Sequence, residues 1–252
     1  MRPIRQTGFL DKPTFKELTK FDLRTYIRLM TYLRQIYRIV PFCEIPDEDV
    51  PYLILRHDVD VSLESALKMA EVEYKMGLRS TYFVLLSGNH YNSFEGRSAA
   101  IIKQMSGLGH EIGLHYDLNQ YRCYAKNTVQ ALETELRALE SIIGKKVRSI
   151  SSHAPSGPGS FLSISSCINA DDPCLRGVYI HDSRKLWTIK SLYILLDNRP
   201  RKVQLLIHPF HWFPPAKPRT KLDLTFLDVL WLLYRTRTLI IRVVDSRESC
   251  EN

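Results

Sequence analysis

Short apolar runs that break off at polar clusters recur along this chain, separated by stretches with the three- and four-residue spacing of a buried helix face. "PYLILR" leads into "HDVD", "HEIGLH" into "YD", "KVRSISS" into "HAPSG", "GVYIH" into "DS", and "KVQLLIH" into "PFHW"; "STYFVLL" is a further run of the same kind. Between them, Ser62 is placed to cap a helix over "LESALKMAEVEYKM", and Gly77 stands where a left-handed residue would end it. "GRSAAIIKQMSG" and "NTVQALETELRALESIIG" read as two more helices. Strands that alternate with helices predict a parallel α/β sheet or barrel, because parallel neighbours need a crossover long enough to hold a helix. Such folds assemble their sites at the C-terminal ends of the strands, where the five polar clusters fall.

Residues 13 to 38 carry Phe15, Leu18, Phe21, Leu23, Tyr26, Leu29, Leu33 and Ile36 at helical spacing. Residues 1–50 are therefore expected to be a helical segment packed on the core. A helix is also expected over 222–235 and a strand over 238–244. With 252 residues, 44% of them hydrophobic, and no repeat, low-complexity tract or linker, the expectation is one domain over 1–252. No secretory-type apolar run opens the chain and no uncharged apolar stretch reaches eighteen residues, so a soluble, cytoplasmic protein is expected.

Cys43, Cys123, Cys167, Cys174 and Cys250 are scattered, odd in number and without a CxxC pair. That excludes the usual disulfide framework and thiolate zinc patterns. The formal charge of +8 is compatible with an anionic partner. The densest basic groups, "KPRTK" and "RTRTLIIR", have no nucleic-acid motif around them, so nucleic acid is not expected.

In a strand, residues two apart share a face, which sets Asp58 and Asp60 side by side. Like charges that close are tolerable with a cation between them, with one protonated, or with both in water. His115 ends "HEIGLH" with Gly113 on its own face, while His110 points to the other side. An imidazole beside a strand-end Asp-x-Asp is the oxygen and nitrogen donor mix of a catalytic divalent metal site. His208 follows "VQLLI", shares its face with Leu206, and has the chemistry of a general acid, an imidazole being able to hold and donate a proton near neutral pH. His153 and Asp182 are further candidates, each also readable as a turn residue.

The ordered series HDVD, STYF, GHEIGLH, a strand-end S-x-x-P, an Asp before a Trp, and LLIHP resembles the polysaccharide deacetylase family, carbohydrate esterase family four, over about Tyr52 to Trp212. It looks most like the intracellular branch associated with bacterial O-antigen and other surface-polysaccharide biosynthesis. The resemblance implies a distorted parallel (β/α) barrel that uses a divalent metal, as a rule Zn2+, to hydrolyse an acetyl group from a sugar. It implies Asp58 as base, Asp60 and His115 as metal ligands, His208 as acid, and Asp182 as the group orienting that acid. Tyr116, Trp187 and Trp212 are expected at the substrate, with the Tyr116 backbone N–H toward the oxyanion. The family's second metal histidine falls on Asn119, so His153 is the substitute ligand, with Asn119 or a water as fallback. The family arginine that steadies the base falls on Ala154. The implied partner is an acetylated sugar, nucleotide- or lipid-linked; the positive charge adds the expectation of peripheral contact at the cytoplasmic membrane face. Two rivals are hydrolysis of another linear or cyclic amide and an inactive glycan-binding scaffold.

Overall fold

The computed structural model describes residues 11–47, 50–86, 88, 90–153 and 161–214. The chain divides into two compact units, Met1–Pro214 and Pro215–Asn252. The single domain expected over 1–252 is thus described through Pro214; Ala154, Cys250 and the elements expected at 222–235 and 238–244 lie outside the described residues.

Eight strands form one sheet: β1 (Arg38–Val40), β2 (Tyr52–Val59), β3 (Thr81–Leu85), β4 (Glu111–Tyr116), β5 (Ser149–Ser152), β6 (Ile168–Asn169), β7 (Val178–His181) and β8 (Lys202–Ile207). Every pairing is parallel, in the order β6-β5-β4-β3-β2-β8-β7, and β1 pairs with the first half of β2. The two end strands do not pair with each other among the described residues. This is the parallel α/β architecture that strand–helix alternation predicts, left open as a partial barrel. The amide of Gln204 on β8 donates to the Ala170 carbonyl at 3.0 Å, tying β8 to the end of β6 across the interior.

The helices are α1 (Phe15–Leu18), α2 (Leu23–Leu33), α3 (Leu63–Lys75), α4 (Gly96–Gly107), α5 (Leu118–Tyr124), α6 (Thr128–Ile143), α7 (Pro173–Arg176), α8 (Ile189–Tyr193) and α9 (Pro209–Trp212). Local chemistry sets their ends. The Ser62 hydroxyl accepts the Ser65 N–H at 3.1 Å to start α3, and Gly77, at φ 69°, follows its C-terminus. The expected helical segment over 1–50 is corrected in one respect: β1 lies inside it and adds a strand to the sheet.

Two cores follow from the period-2 alternation of β2. Leu53, Leu55 and Val59 face the helices and join the large cluster with Leu29, Met69, Ile102 and Leu139. Tyr52 and Ile54 face inward with Val40, Phe42, Phe83 and Ala170. The inner column of β2 is thus apolar at the base and turns charged at Arg56 and Asp58, so the rim of the barrel carries the polar chemistry.

Candidate active site

Asp58 lies in β2 itself and Asp60 just past its end. On β4, the same alternation points Gly113 and His115 inward. Gly113 is required there: a Cβ would lie 2.5 Å from the Phe83 ring. The space that Gly113 leaves is filled by Phe83, and the Arg56 guanidinium sits 4.9 Å above that ring. Arg56 in turn holds Asp58, donating from Nε to Oδ1 at 3.1 Å and from Nη2 to Oδ1 and Oδ2 at 2.8 and 2.7 Å. Its Nη2 also donates to Ser151 Oγ at 2.5 Å, and Nη1 lies 3.5 Å from Asp171 Oδ1. Asp58, for which the family's arginine position holds Ala154, therefore has an arginine two residues away on its own strand. Arg56 escaped sequence reasoning, although the argument that pairs Asp58 with Asp60 also places Arg56 on that face. Asp171, which anchors β5 by accepting the Ser152 N–H at 2.6 Å, had no signal in the sequence.

Asp60, His115 and His153 come together: one ligand atom from each lies within 4.8 Å of the others. His115 Nδ1 is 3.0 Å from the Ser151 carbonyl, an acceptor only, so Nδ1 carries the hydrogen and Nε2 faces the carboxylates. That Nε2 lies 3.3 Å from Asp60 Oδ1 and 3.7 Å from Asp58 Oδ2. His153 Nδ1 is 3.8 Å from Asp60 Oδ1. Both Asp60 Oδ1 and His153 Nδ1 are buried without a hydrogen-bond partner. Unsatisfied buried polar atoms are costly unless a cation or proton joins them; burial would lower the His115 pKa, but Asp58 and Asp60 raise it, so the ion-free site draws a proton toward Nε2. The donor set of one carboxylate and two imidazoles, with one imidazole steered by a carbonyl behind it, fits a zinc-type ion. Electrostatics agree. Burial opposes its charge, yet the contacts of His115, His208 and His153 hold the Asp60 carboxyl well below the usual carboxylate range. Burial and the neighbouring His115 push His153 down, leaving it neutral as a ligand must be.

Across the cavity stands His208. Its Nδ1 is 2.6 Å from Asp182 Oδ1, and its backbone N–H donates to the same oxygen at 3.0 Å. Its Nε2 faces Asp60 Oδ2 at 3.6 Å. Burial alone would depress the imidazolium, but the hydrogen bond and charge of Asp182 raise it to about 9. Asp182 is buried, which opposes its charge, but bonds from His208 and His211 bring it to about 2. Asp182, His208 and His211 form a second group with metal-ligand spacing. There the carboxylate already accepts from the Trp212 indole N–H at 2.8 Å and from His208, which suits a proton-holding pair better than a cation.

The cavity between these groups is about 200 Å3, with Tyr179, Ser183 and Leu206 completing its wall. Four expected residues are placed elsewhere. Tyr116 alternates with His115, so its phenol turns to the helix side, where it stacks on Tyr121. Its main chain still serves the rim: the carbonyl accepts the His153 N–H at 2.7 Å. Trp187 and Trp212 are buried with Phe21 in an aromatic cluster and line no part of the cavity. Asn119, the fallback ligand, is exposed on α5. Asp117 caps that helix by accepting the Asn119 N–H at 2.9 Å, and this start turns Asn119 away from the cluster.

No family model and no curated protein matches this chain. Several solved structures are similar to it. The peptidoglycan deacetylase PdaC from Bacillus subtilis aligns with a TM-score of 0.47 and 18% identity over 65% of this chain and 77% of that one. A Streptococcus mutans CE4 esterase aligns at 0.47 and 16%, over 63% and 74%. BA3943, a CE4 family pseudoenzyme from Bacillus anthracis, aligns at 0.43 and 14%, over 66% of this chain and 56% of that one.

Proposed function

We propose that this chain is a metal-dependent hydrolase that removes an acetyl group, N-linked by preference, from a sugar or glycan precursor. One observation carries the reading: Asp60 Oδ1 and His153 Nδ1 are buried without partners beside His115 Nε2, between the Asp58–Arg56 pair and the His208–Asp182 pair. Asp60, His115 and His153 would hold the ion. When bound, a zinc-type ion supplies Lewis acidity, polarising the acetyl carbonyl and making water a stronger acid at neutral pH.

The rest is done by side chains. Asp58, oriented by three hydrogen bonds from Arg56, takes the proton that the attacking water releases. As the C–N bond breaks, His208 delivers a proton from Nε2 to the leaving nitrogen, while Asp182 keeps Nδ1 engaged and the ring aimed. Leu206 gives the acetyl group an apolar wall, and Tyr179 and Ser183 offer polar contacts to a sugar. The sequence resemblance adds the finer assignment to surface-polysaccharide (O-antigen, lipopolysaccharide) synthesis, with a nucleotide- or lipid-linked sugar as substrate.

The test is elemental analysis of the purified protein, followed by an acetate-release screen over nucleotide-linked N-acetyl sugars with and without chelator. About one divalent ion per chain is expected. Acetate release should stop with chelator, return with Zn2+, and fall about a hundred- to ten-thousandfold in Asp58→Asn with ion content unchanged. Release indifferent to chelator would overturn the metal reading. An ion-free protein that binds glycans without releasing acetate would be the scaffold.

A further inference from the structure

We propose that the segment Arg184–Tyr193, at the rim of the cavity, is a docking surface for a bilayer bearing anionic lipids. β7 ends at His181, and Asp182 and Ser183 belong to the site already described. The next two residues, Arg184 and Lys185, both take left-handed backbone, at φ 61° and 56°, a conformation side-chain-bearing residues avoid. The bend throws Leu186 outward, 64% exposed, and lets Trp187 turn back to stack on Phe21. α8 follows with the same division. Leu192 is buried, while Ile189 and Tyr193, four residues apart and so on one face, are 71% and 59% exposed.

Ten large apolar side chains are exposed among the described residues, and three fall within these eight positions, which marks a patch rather than scatter. Arg184, Lys185 and Lys190, all exposed, are interspersed with them along the segment, and no acidic residue occurs from 183 to 196. Exposed aliphatic and aromatic side chains interleaved with cations, free of acidic residues, match a surface that lies in the headgroup region of an anionic bilayer. A second copy is a poorer occupant, since two-fold pairing through this patch would set its cations against themselves. No helix among the described residues is long and apolar enough to cross a membrane, so the contact would be peripheral. Ser183 lines the cavity and Asp182 holds the acid, so docking here would bring the rim to the lipid surface. That this suits a lipid-linked substrate rests on the deacetylase reading; the docking itself does not.

The experiment is co-sedimentation of the full chain with vesicles of phosphatidylcholine alone and of phosphatidylcholine mixed with phosphatidylglycerol. Binding is expected to the mixed vesicles, to weaken with added salt, to fall about tenfold in Leu186→Glu/Ile189→Glu, and roughly fivefold in Lys190→Gln. Both variants change exposed positions outside the catalytic machinery, and circular dichroism confirms that they fold. Mixed-vesicle binding that the double variant leaves unchanged, no vesicle binding at all, or loss of a protein dimer in the variant would each overturn the assignment. Turnover of a soluble acetylated sugar, unchanged in both variants, separates this outcome from failure of the deacetylase reading.

Discussion

Two charged networks lie back to back on β2, one on each face of the sheet. On the helix side, the Glu73 carboxylate is wholly buried and accepts from Tyr26 and Tyr82 hydroxyls, from Ser80 Oγ at 2.6 Å and from His57 Nε2 at 2.8 Å. His57 Nδ1 reaches the Ile207 carbonyl at 3.2 Å, and His110 is held by Ser80 and the Ala70 carbonyl. On the barrel side, Asp60 Oδ1 and His153 Nδ1 have no hydrogen-bond partner. Both networks bury charge. The satisfied network locks α3 and β8 onto β2; the other leaves a carboxylate oxygen and an imidazole nitrogen unpaired. Burial does not distinguish the Glu73 network from the Asp60 cluster, whereas the completeness of their pairing does.

The sharpest way to break this comparison is Glu73→Gln, which strips the closed network of its charge and strands its donors. Equilibrium denaturation should show a loss of about 3–5 kcal/mol. A loss much below that would mean the network is not structural. Acidification probes the same carboxylate. Burial would raise its pKa, but His57 and His110 bring it from 4.5 to about 2. Because the folded pKa is depressed, its stabilisation is complete above about pH 4.5 and drains away as pH falls toward 2. Acid titration of Glu73→Gln by circular dichroism should lack that portion of the transition.

A smaller effect is expected at Gly113→Ala. The new methyl would meet the Phe83 ring and Ser149 Oγ, at 2.5 and 2.8 Å, and displace the ring on which Arg56 rests. The cost should be about 1–3 kcal/mol, with turnover falling further than stability because Asp58 loses its orientation. Asp60→Asn removes the charge that His115, His153 and His208 face, but no hydrogen bond to Oδ1, so denaturation of the ion-free variant should show a smaller loss than Glu73→Gln does. The ion content of Asp60→Asn, read by elemental analysis, should drop to near zero. A strongly destabilised ion-free Asp60→Asn would erase the contrast between the two networks.

Much of this arrangement was legible in the sequence, because helix caps and period-2 alternation are local. Ser62, Gly77, the strand-end clusters and the shared face of Asp58 and Asp60 all follow from neighbours a few residues away. Where the reading went astray, the cause was long-range or masked. β1 hid behind the helical spacing of 13–38, and the two residues of β6 carry no periodic pattern, so Asp171 could not be foreseen as the partner of Arg56 and Ser152. Trp187 and Trp212 looked like substrate walls because aromatic type does not reveal which side of a rim a residue packs against.

Supplying the arginine from β2 has a consequence for how the protein can diversify. Since Arg56 and Asp58 are aligned within a single strand, the Asp58 carboxylate keeps its aim through two residues of local geometry. Variation at position 154, where this chain has alanine, is thereby decoupled from the orientation of Asp58, which is set by its own strand.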